Sequence, residues 1–181
     1  MYLGIDTATA YLCLGLWSET FEARLELEMG RDHSKRIIVE LEQFLRAQGV
    51  GKEDLKGIGV GLGPGSYTGL RIGVAVAKGL ARGLSVPLKG KPSLEALAFR
   101  HLAEGETALV TLDARREQVY FALYQKTEGR ILELEPIAKS PKAELLLRYP
   151  DKKLYEATLP DAVYLAKEAN NGSQLLEPIY L

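Results

Sequence analysis

The segment at residues 59–73, with the sequence GVGLGPGSYTGLRIG, is dense enough in glycine to suggest anion binding. A glycine loop that opens a helix offers free backbone N–H groups, and the helix dipole favours a phosphate there. The spacing, however, differs from both nucleotide fingerprints. A P-loop needs Lys followed by Ser or Thr after its last glycine, whereas Gly65 is followed by Ser66 and Tyr67. The pattern G-x-G-x-x-G is not supplied either. Two interpretations stay open: a generic anion site, or a strand-to-helix turn that binds nothing.

Residues suited to metal binding or nucleophilic catalysis are few. His33 and His101 are the two histidines and lie far apart in the sequence, so no metal site is expected from them. His33 is expected to help cap a helix. His101 is expected to lie near a helix C-terminus, where a protonated imidazole interacts favourably with the helix dipole. Cys13 falls inside an apolar run, and Ser66 has no histidine nearby in the sequence. The sequence therefore gives no signature of a catalytic triad.

A strand, a tight loop and a helix must position the glycine segment. Residues 56–62 alternate apolar side chains with glycine, which predicts a strand that lets another backbone come close. Pro64 between two glycines ends that strand. Ser66 or Thr68 can then cap a helix. The apolar positions of this helix recur at helical spacing and are Leu70, Val74, Ala77 and Ala81.

One face of this predicted helix is smooth, because Gly69, Gly73 and Ala77 lie at four-residue intervals. Glycine inside a helix costs about 1 kcal/mol relative to alanine, so two glycines on one stripe indicate the close approach of another element. That element is either the sheet of the same domain or a helix of another subunit.

The remaining chain alternates strands and helices around two similar openings. Asp6 and Asp113 each follow an apolar strand and precede a turn and a second strand, which indicates two related lobes. The predicted strands are 2–5, 12–17, 20–28, 56–62, 86–88, 107–113, 118–124 and 131–138. The predicted helices run from Asp32 or Ser34 to Gly49, over one turn at 52–55, and over 66–81, 93–102, 142–148 and 161–170, and an extended tail covers 177–181.

Composition limits the possible functions. With 181 residues, 46% of them hydrophobic, the chain can bury a real core. A net charge of -1 argues against a protein that holds nucleic acid mainly through its own phosphate contacts, so tRNA contact is expected only indirectly. The single cysteine, Cys13, cannot form an internal disulfide, which fits a reducing cytoplasm. Neither a membrane span nor a signal peptide is expected, since Asp6 interrupts the N-terminal apolar residues.

Five motifs follow one another along the chain: IDTAT at 5–9, DHS at 32–34, GLGPGSYTGLRIG at 61–73, DARREQVY at 113–120 and PIYL at 178–181. Together they resemble the TsaB family, also called YeaZ. The resemblance implies an α/β, actin-like fold of the sugar-kinase and ribonuclease H-like type, with two lobes. It also implies a part in making threonylcarbamoyladenosine beside the anticodon of tRNA.

The same resemblance implies partners and a division into lobes. The expected partners are the transferase TsaD, the ATPase TsaE and, when TsaD is absent, a second copy of the chain. No cofactor is expected to bind firmly, although ATP can enter the assembled complex. Residues 1–105 are expected to form the first lobe with the interface helices. Residues 106–181 are expected to form an abbreviated second lobe, because few residues follow Asp113.

Three residues mark a possible vestigial nucleotide site. In an enzyme of the implied superfamily, Asp6, Thr7 and Asp113 would orient a metal ion and phosphate oxygens. In the alternative, Asp6 and Thr7 tighten their turn through side-chain-to-backbone hydrogen bonds. The absence of a recognisable third phosphate-binding element in the sequence favours this alternative, so any ATP binding is expected to be weak.

The family resemblance also places the partner interface on two helices. Small residues let helices approach closely, and exposed apolar side chains supply the area that drives association. The residues expected to form this interface with TsaD or a second copy are His33, Ile37, Leu41, Phe44, Tyr67, Gly69, Leu70, Arg71, Gly73, Val74 and Ala77.

The expected function is that of a non-catalytic subunit that binds and supports TsaD, together with TsaE, and that is not an enzyme by itself. One alternative is an autonomous ATPase or phosphotransferase using Asp6 and Asp113. Another is a glycoprotease-like metallopeptidase, which the missing cluster of metal ligands in the sequence disfavours.

Overall fold

The computed structural model describes residues 1–30, 33–171 and 177–181, without the side chains of His33 and Asn171. A five-stranded sheet organises the first half of the chain. Its strands are β1 (Tyr2–Asp6), β2 (Tyr11–Ser18), β3 (Phe21–Glu28), β4 (Gly57–Gly61) and β5 (Leu88–Lys91). They lie in the order β3-β2-β1-β4-β5, with β1 antiparallel to β2 and parallel to β4.

A second sheet of four strands organises the second half. Its strands are β6 (Thr107–Asp113), β7 (Gln118–Thr127), β8 (Arg130–Pro141) and β9 (Leu154–Glu156), in the order β8-β7-β6-β9. The sequence did not predict β9, because three residues are too few to show an alternating pattern. Its pairing with β6, where Val110 lies opposite Tyr155, is what makes this segment a strand. The predicted α/β architecture with two sheets is confirmed.

In the described ranges, five helices cover these sheets. They are α1 (His33–Ala47), α2 (Tyr67–Leu84), α3 (Ser93–His101), α4 (Lys142–Arg148) and α5 (Ala162–Glu168), with short 3-10 turns at Lys52–Asp54 and Ala169–Asn171. Strand β5 begins later than predicted, because Val86 takes part in the turn that follows α2: its N–H donates to the carbonyl oxygen of Ala81. Asp32, one of the two predicted caps of α1, lies outside the described residues. Within the described ranges, no helix is both long and apolar enough to cross a membrane.

Helices α1 and α2 share a hydrophobic core with the first sheet. The core combines strand residues such as Leu3 and Ile58 with side chains from both helices. Burying one leucine or isoleucine side chain completely contributes about 1.5–3 kcal/mol, so this core holds α1 and α2 firmly on the sheet. The buried helix residues that take part are Ile37, Leu41, Phe44, Leu45, Val74, Ala77 and Ala81.

Helix α5 packs directly on the same sheet through three glycines of its central strands. A Cβ atom on Gly4 would lie 1.8 Å from the carbonyl oxygen of Ala162, and one on Gly59 would lie 1.9 Å from that of Leu165. A Cβ atom on Gly15 of β2 would lie 2.3 Å from the backbone N of Val163 in α5. Glycine therefore serves the close approach of a helix here. The sequence placed residues 106–181 together in the second lobe, whereas α5 packs on the first sheet.

Helix α3 joins the two halves. Leu94 and Leu97 of α3 lie in one core cluster with Val110 and Ala122 of the second sheet. The next face of the helix meets α5, where the ring of Phe99 stacks on Tyr164 at a centroid distance of 4.5 Å. Because it contacts both the second sheet and α5, α3 links the second sheet to the helix that packs on the first.

Candidate functional site

The carboxylate of Asp6 lies at the end of β1 and is 1% exposed. Its Oδ1 atom accepts a hydrogen bond from the N–H of Ala8 at 2.8 Å, and Oδ2 accepts one from the hydroxyl of Ser93 at 2.7 Å. Burial raises the pKa of Asp6 to about 6, and the two hydrogen bonds oppose that rise. Neither partner carries a charge. Both oxygens of Asp6 are thus engaged inside the protein.

Thr7 ties the same turn to α2. Its Oγ1 donates a hydrogen bond to the carbonyl oxygen of Gly69 at 2.7 Å. A Cβ atom on Gly73 would lie 2.1 Å from Thr7 Oγ1, and one on Gly69 would lie 2.2 Å from the Thr7 carbonyl oxygen. The two glycines therefore make room for the chain's own first turn. This packing corrects the expectation that Gly69 and Gly73 clear space for a partner helix.

The glycine loop closes over this turn. A Cβ atom on Gly61 would lie 1.8 Å from Asp6 Oδ2, so that position admits only glycine. Three N–H groups of the loop are engaged by protein atoms: Leu62 donates to the Lys91 carbonyl oxygen, Gly63 to Ser93 Oγ and Ser66 to the Ala8 carbonyl oxygen. An anion would have to displace these hydrogen bonds. These three amides therefore serve to hold the turn in place.

Asp113 occupies a different setting at the end of β6. Its side chain is exposed, and Oδ1 accepts a hydrogen bond from the N–H of Arg115 at 2.8 Å. The following residues Arg115, Arg116 and Glu117 all have positive φ values, of 63°, 53° and 62°. The hydrogen bond to Asp113 helps to hold this left-handed turn.

Asp6, Gly63 and Ser66 would have to give up hydrogen bonds to hold a magnesium-bound nucleotide. Such a ligand needs free carboxylate oxygens and unoccupied N–H groups. Each oxygen of Asp6 already accepts one hydrogen bond, and the amides of Gly63 and Ser66 are already bonded. Among the residues that the structure describes, no group of three His, Cys, Asp or Glu side chains is placed to hold a metal.

Cys13 and His101 are also placed in structural positions. Cys13 is buried in β2, and burial raises the pKa of its thiol. A raised thiol pKa opposes formation of the nucleophilic thiolate. His101 is the last residue of α3, as predicted, and stacks on the ring of Tyr155. Burial, followed by the charge of Arg100, lowers the pKa of His101. Neither residue has the surroundings of a catalytic group.

Most of the predicted interface residues face the core. Ile37, Leu41 and Phe44 are 2–5% exposed and lie in the core between α1 and the sheet. The α2 residues Gly69, Leu70, Gly73, Val74 and Ala77 are buried as well. The expectation that these side chains form an exposed surface is therefore wrong, because the apolar stripe of each helix faces its own sheet. The side chain of His33 lies outside the described residues.

Tyr67 and Arg71 are the predicted interface residues that reach the surface. Tyr67 is 58% exposed, and the guanidinium of Arg71 lies 5.4 Å from the centre of its ring. The ring of Tyr180, in the C-terminal tail, packs against Tyr67 at 5.1 Å. The N–H of Ile179 donates to the carbonyl oxygen of Leu62, which holds the tail on the glycine loop. These aromatic rings and the arginine form one exposed cluster at the start of α2.

A second surface, which the sequence reasoning missed, lies on the outer sides of α1 and α2. We call it the outer face and define it by Ile38, Val39, Ala75, Gly79 and Gly83, which are all exposed. Ile38 and Val39 are 54% and 50% exposed. Cβ atoms on Gly79 and Gly83 would meet nothing within 4 Å. A signal was present: three consecutive apolar residues, 37–39, cannot all face the core of a helix that turns by about 100° per residue.

An apolar groove adjoins the outer face. It has a volume of about 730 Å³ and is lined by Ile38, Leu45, Val50 and Leu80 together with charged side chains. Among these charged residues, Arg46 and Glu42 form an ion pair at 2.6 Å. The groove places apolar surface of α1 and α2 side by side.

The two sheets, the helices on both faces of the first sheet and the strand-Asp-turn-strand units define an α/β protein of the actin-like class. Residues 27–172 match the family model described as TsaD: tRNA N6-adenosine threonylcarbamoyltransferase. The chain is 34% identical over 180 residues to the tRNA threonylcarbamoyladenosine biosynthesis protein TsaB of Bacillus subtilis, covering 98% of this chain and 75% of that protein. The chain belongs to the TsaB family, which confirms the resemblance seen in its five motifs.

Other comparisons agree with this assignment. The Escherichia coli protein of the same name is 37% identical over 147 residues, which are 80% of this chain and 63% of that protein. The chain thus spans roughly two thirds of these curated relatives. The solved structure of YeaZ from Pseudomonas aeruginosa superposes with a TM-score of 0.82 at 26% identity, covering 99% of this chain and 98% of that one.

Proposed function

We propose that this chain takes part in tRNA threonylcarbamoyladenosine biosynthesis as a non-catalytic subunit that binds a TsaD-type transferase. The names of its TsaB relatives support the pathway. The observation that carries the subunit role is the outer face, which combines exposed apolar side chains of α1 with glycines of α2 that nothing in the described chain covers. A catalytic role receives no support from Asp6, whose two oxygens are engaged internally.

Among the described residues, nothing packs against the glycines of the outer face. Each helical glycine costs about 1 kcal/mol relative to alanine, and Gly79 and Gly83 contact nothing that requires their small size. A partner helix that packs closely on α2 would explain both. Ile38 and the adjoining groove would supply the apolar area that such packing buries.

The exposed cluster at the start of α2 extends this surface. Tyrosine and arginine are enriched among residues that dominate binding energy, and Tyr67 already contacts both Arg71 and Tyr180. Rings that are fixed before binding lose little side-chain freedom in the complex. We assign this cluster to the rim of the proposed TsaD interface.

The other partners follow as part of the same proposal. A second copy of the chain can use the outer face when TsaD is absent, and TsaE acts on the assembled complex, which is where ATP would bind. A net charge of -1 makes tRNA contact through the partner more favourable than contact through this chain alone. Such a subunit would act in the cytoplasm.

The proposal is tested with Ile38→Asp and Gly79→Trp, measured by calorimetric titration against TsaD and by modification yield in the reconstituted system. Both changes lie at exposed positions and should leave folding intact. Each is expected to weaken TsaD binding at least tenfold, about 1.4 kcal/mol or more. Leu147→Asp on α4 is the matched control, because Leu147 is 83% exposed on the second lobe. Wild-type affinity in both folded test variants would refute the docking surface.

A further inference from the structure

Ser93 is the first residue of α3, yet its hydroxyl does not serve that helix. The position before it is Pro92, and α3 has no side-chain cap. Instead the hydroxyl donates to Asp6 at 2.7 Å and accepts from the N–H of Gly63 at 3.1 Å. The Ser93 N–H also donates to the Gly63 carbonyl oxygen at 2.7 Å. Ser93 is 0% exposed, so these bonds form without competition from water.

These bonds connect three parts of the fold. Asp6 ends β1, Gly63 belongs to the loop that leads into α2, and Ser93 begins the helix that packs on the second sheet. The loop has little room to adjust, because Gly61 is held against Asp6 and Gly65 against the carbonyl oxygen of Ala8. A displacement of α3 must therefore move the loop or break the hydrogen bonds.

The loop in turn sets the start of α2. Ser66 caps α2 by accepting a hydrogen bond from the N–H of Gly69, and the Ser66 N–H is bonded to the Ala8 carbonyl oxygen. The neighbouring carbonyl oxygen of Leu62 accepts the N–H of Ile179 and so holds the tail that carries Tyr180. The position of the loop therefore fixes both parts of the exposed aromatic cluster.

We propose that Ser93 is a positioning residue which, through Asp6 and Gly63, couples the second lobe to the docking helix α2. The inference rests on the proposed function, because it treats α2 as the partner-binding element. A change in the second lobe is transmitted through α3 to the loop, and from there to the first turn of α2 and the tail. Partner binding at α2 is correspondingly transmitted to the second lobe.

The first test measures amide hydrogen exchange of the free protein. Ser93→Ala is expected to speed exchange at Gly63, in the first turn of α2 and at Ile179 by about tenfold or more. Ser140→Ala is the matched control, because Ser140 lies on β8 and bonds to its own neighbour Pro141. Faster exchange confined to Gly63 would overturn the coupling. If Ser93→Ala does not fold, Ser93→Cys keeps the side-chain size with a weaker donor, and the same pattern is expected in milder form.

The second test separates coupling from a merely structural role. Val110→Ala loosens the core beneath α3 and is expected to speed exchange in the first turn of α2. In a Ser93→Ala background the same change should add nothing there, because the connection is already broken. Two effects that simply add would refute the inference.

The third test asks whether the connection matters for docking. Ser93→Ala is expected to lower TsaD affinity about tenfold, while Ser140→Ala leaves it unchanged. Altered exchange with unchanged affinity would overturn the link to docking. If the wild-type chain itself does not bind TsaD, the proposed function fails, and the exchange measurements still decide whether Ser93 couples the lobes.

Discussion

The buried carboxylate of Asp6 predicts that replacing it by a neutral amide stabilises the protein at neutral pH. Its pKa is raised from 3.8 to about 6, chiefly by burial. A group whose folded pKa is raised contributes stability below its unfolded pKa and loses that contribution as the pH rises through the folded pKa. At pH 7.5 the protein with ionised Asp6 therefore has a free energy of unfolding about 3 kcal/mol lower than it would have if Asp6 stayed protonated.

Asp6→Asn removes this cost and retains the shape of the side chain. The amide oxygen can still accept from the N–H of Ala8, and the amide nitrogen can donate to Ser93. The Ser93 hydroxyl proton then needs another acceptor, and this loss reduces the gain in stability by roughly 1 kcal/mol. We expect Asp6→Asn to be more stable than wild type by about 1–2 kcal/mol at pH 7.5, and this gain to fall by about 1.4 kcal/mol at pH 5.

Urea denaturation at pH 5.0 and 7.5 measures both quantities. Asp113→Asn is the matched control, because Asp113 lies in an exposed turn and its replacement should change stability by less than about 0.5 kcal/mol at either pH. A variant that is less stable than wild type by the same amount at both pH values would refute the reasoning. That result would show that Asp6 contributes only hydrogen bonds and carries no desolvation cost.

Two further predictions concern the two faces of α2 and a buried hydroxyl group. Gly73→Ala should destabilise the protein by about 2–4 kcal/mol, since its Cβ would lie 2.1 Å from Thr7 Oγ1, whereas Gly79→Ala should stabilise it by about 0.5–1 kcal/mol, since its Cβ meets open space. Equal effects of the two substitutions in thermal unfolding would contradict this assignment of the two helix faces. The hydroxyl of Tyr124 is buried without a hydrogen-bond partner among the described residues, so Tyr124→Phe should stabilise by about 1 kcal/mol in denaturant titration, and a loss of stability would show that the hydroxyl has a partner.

The glycine segment shows how much of the site the sequence could predict. The strand, the loop, the cap at Ser66 and the helix were predicted and are observed at Gly57–Gly61 and Tyr67–Leu84. These features depend on local preferences of glycine, proline and serine, which sequence displays directly. Which face of the helix is buried depends on what packs against it. Spacing alone does not carry that information.

The prediction that the stripe of Gly69, Gly73 and Ala77 is exposed was wrong for this reason. Helix α2 contains two stripes with the same four-residue spacing: Gly69, Gly73 and Ala77 on one face, and Ala75, Gly79 and Gly83 on another. The first stripe is covered by Thr7 and the sheet, and the second is open. Only the tertiary structure shows which stripe is free. The contact between Ser93 and Asp6 is beyond local patterns altogether, because 87 positions separate the two residues.

The two stripes give α2 two packing faces. Its inner face is fitted to Thr7 so closely that a methyl group on Gly73 has no room, and its outer face is open at Gly79 and Gly83. A helix held this tightly on one side cannot shift independently of the turn after β1. Because Ser93 binds Asp6 in that same turn, a movement of α3 reaches the outer face as a movement of α2 as a whole. The glycine-rich motif therefore serves packing within the chain and, as we propose, assembly with a partner.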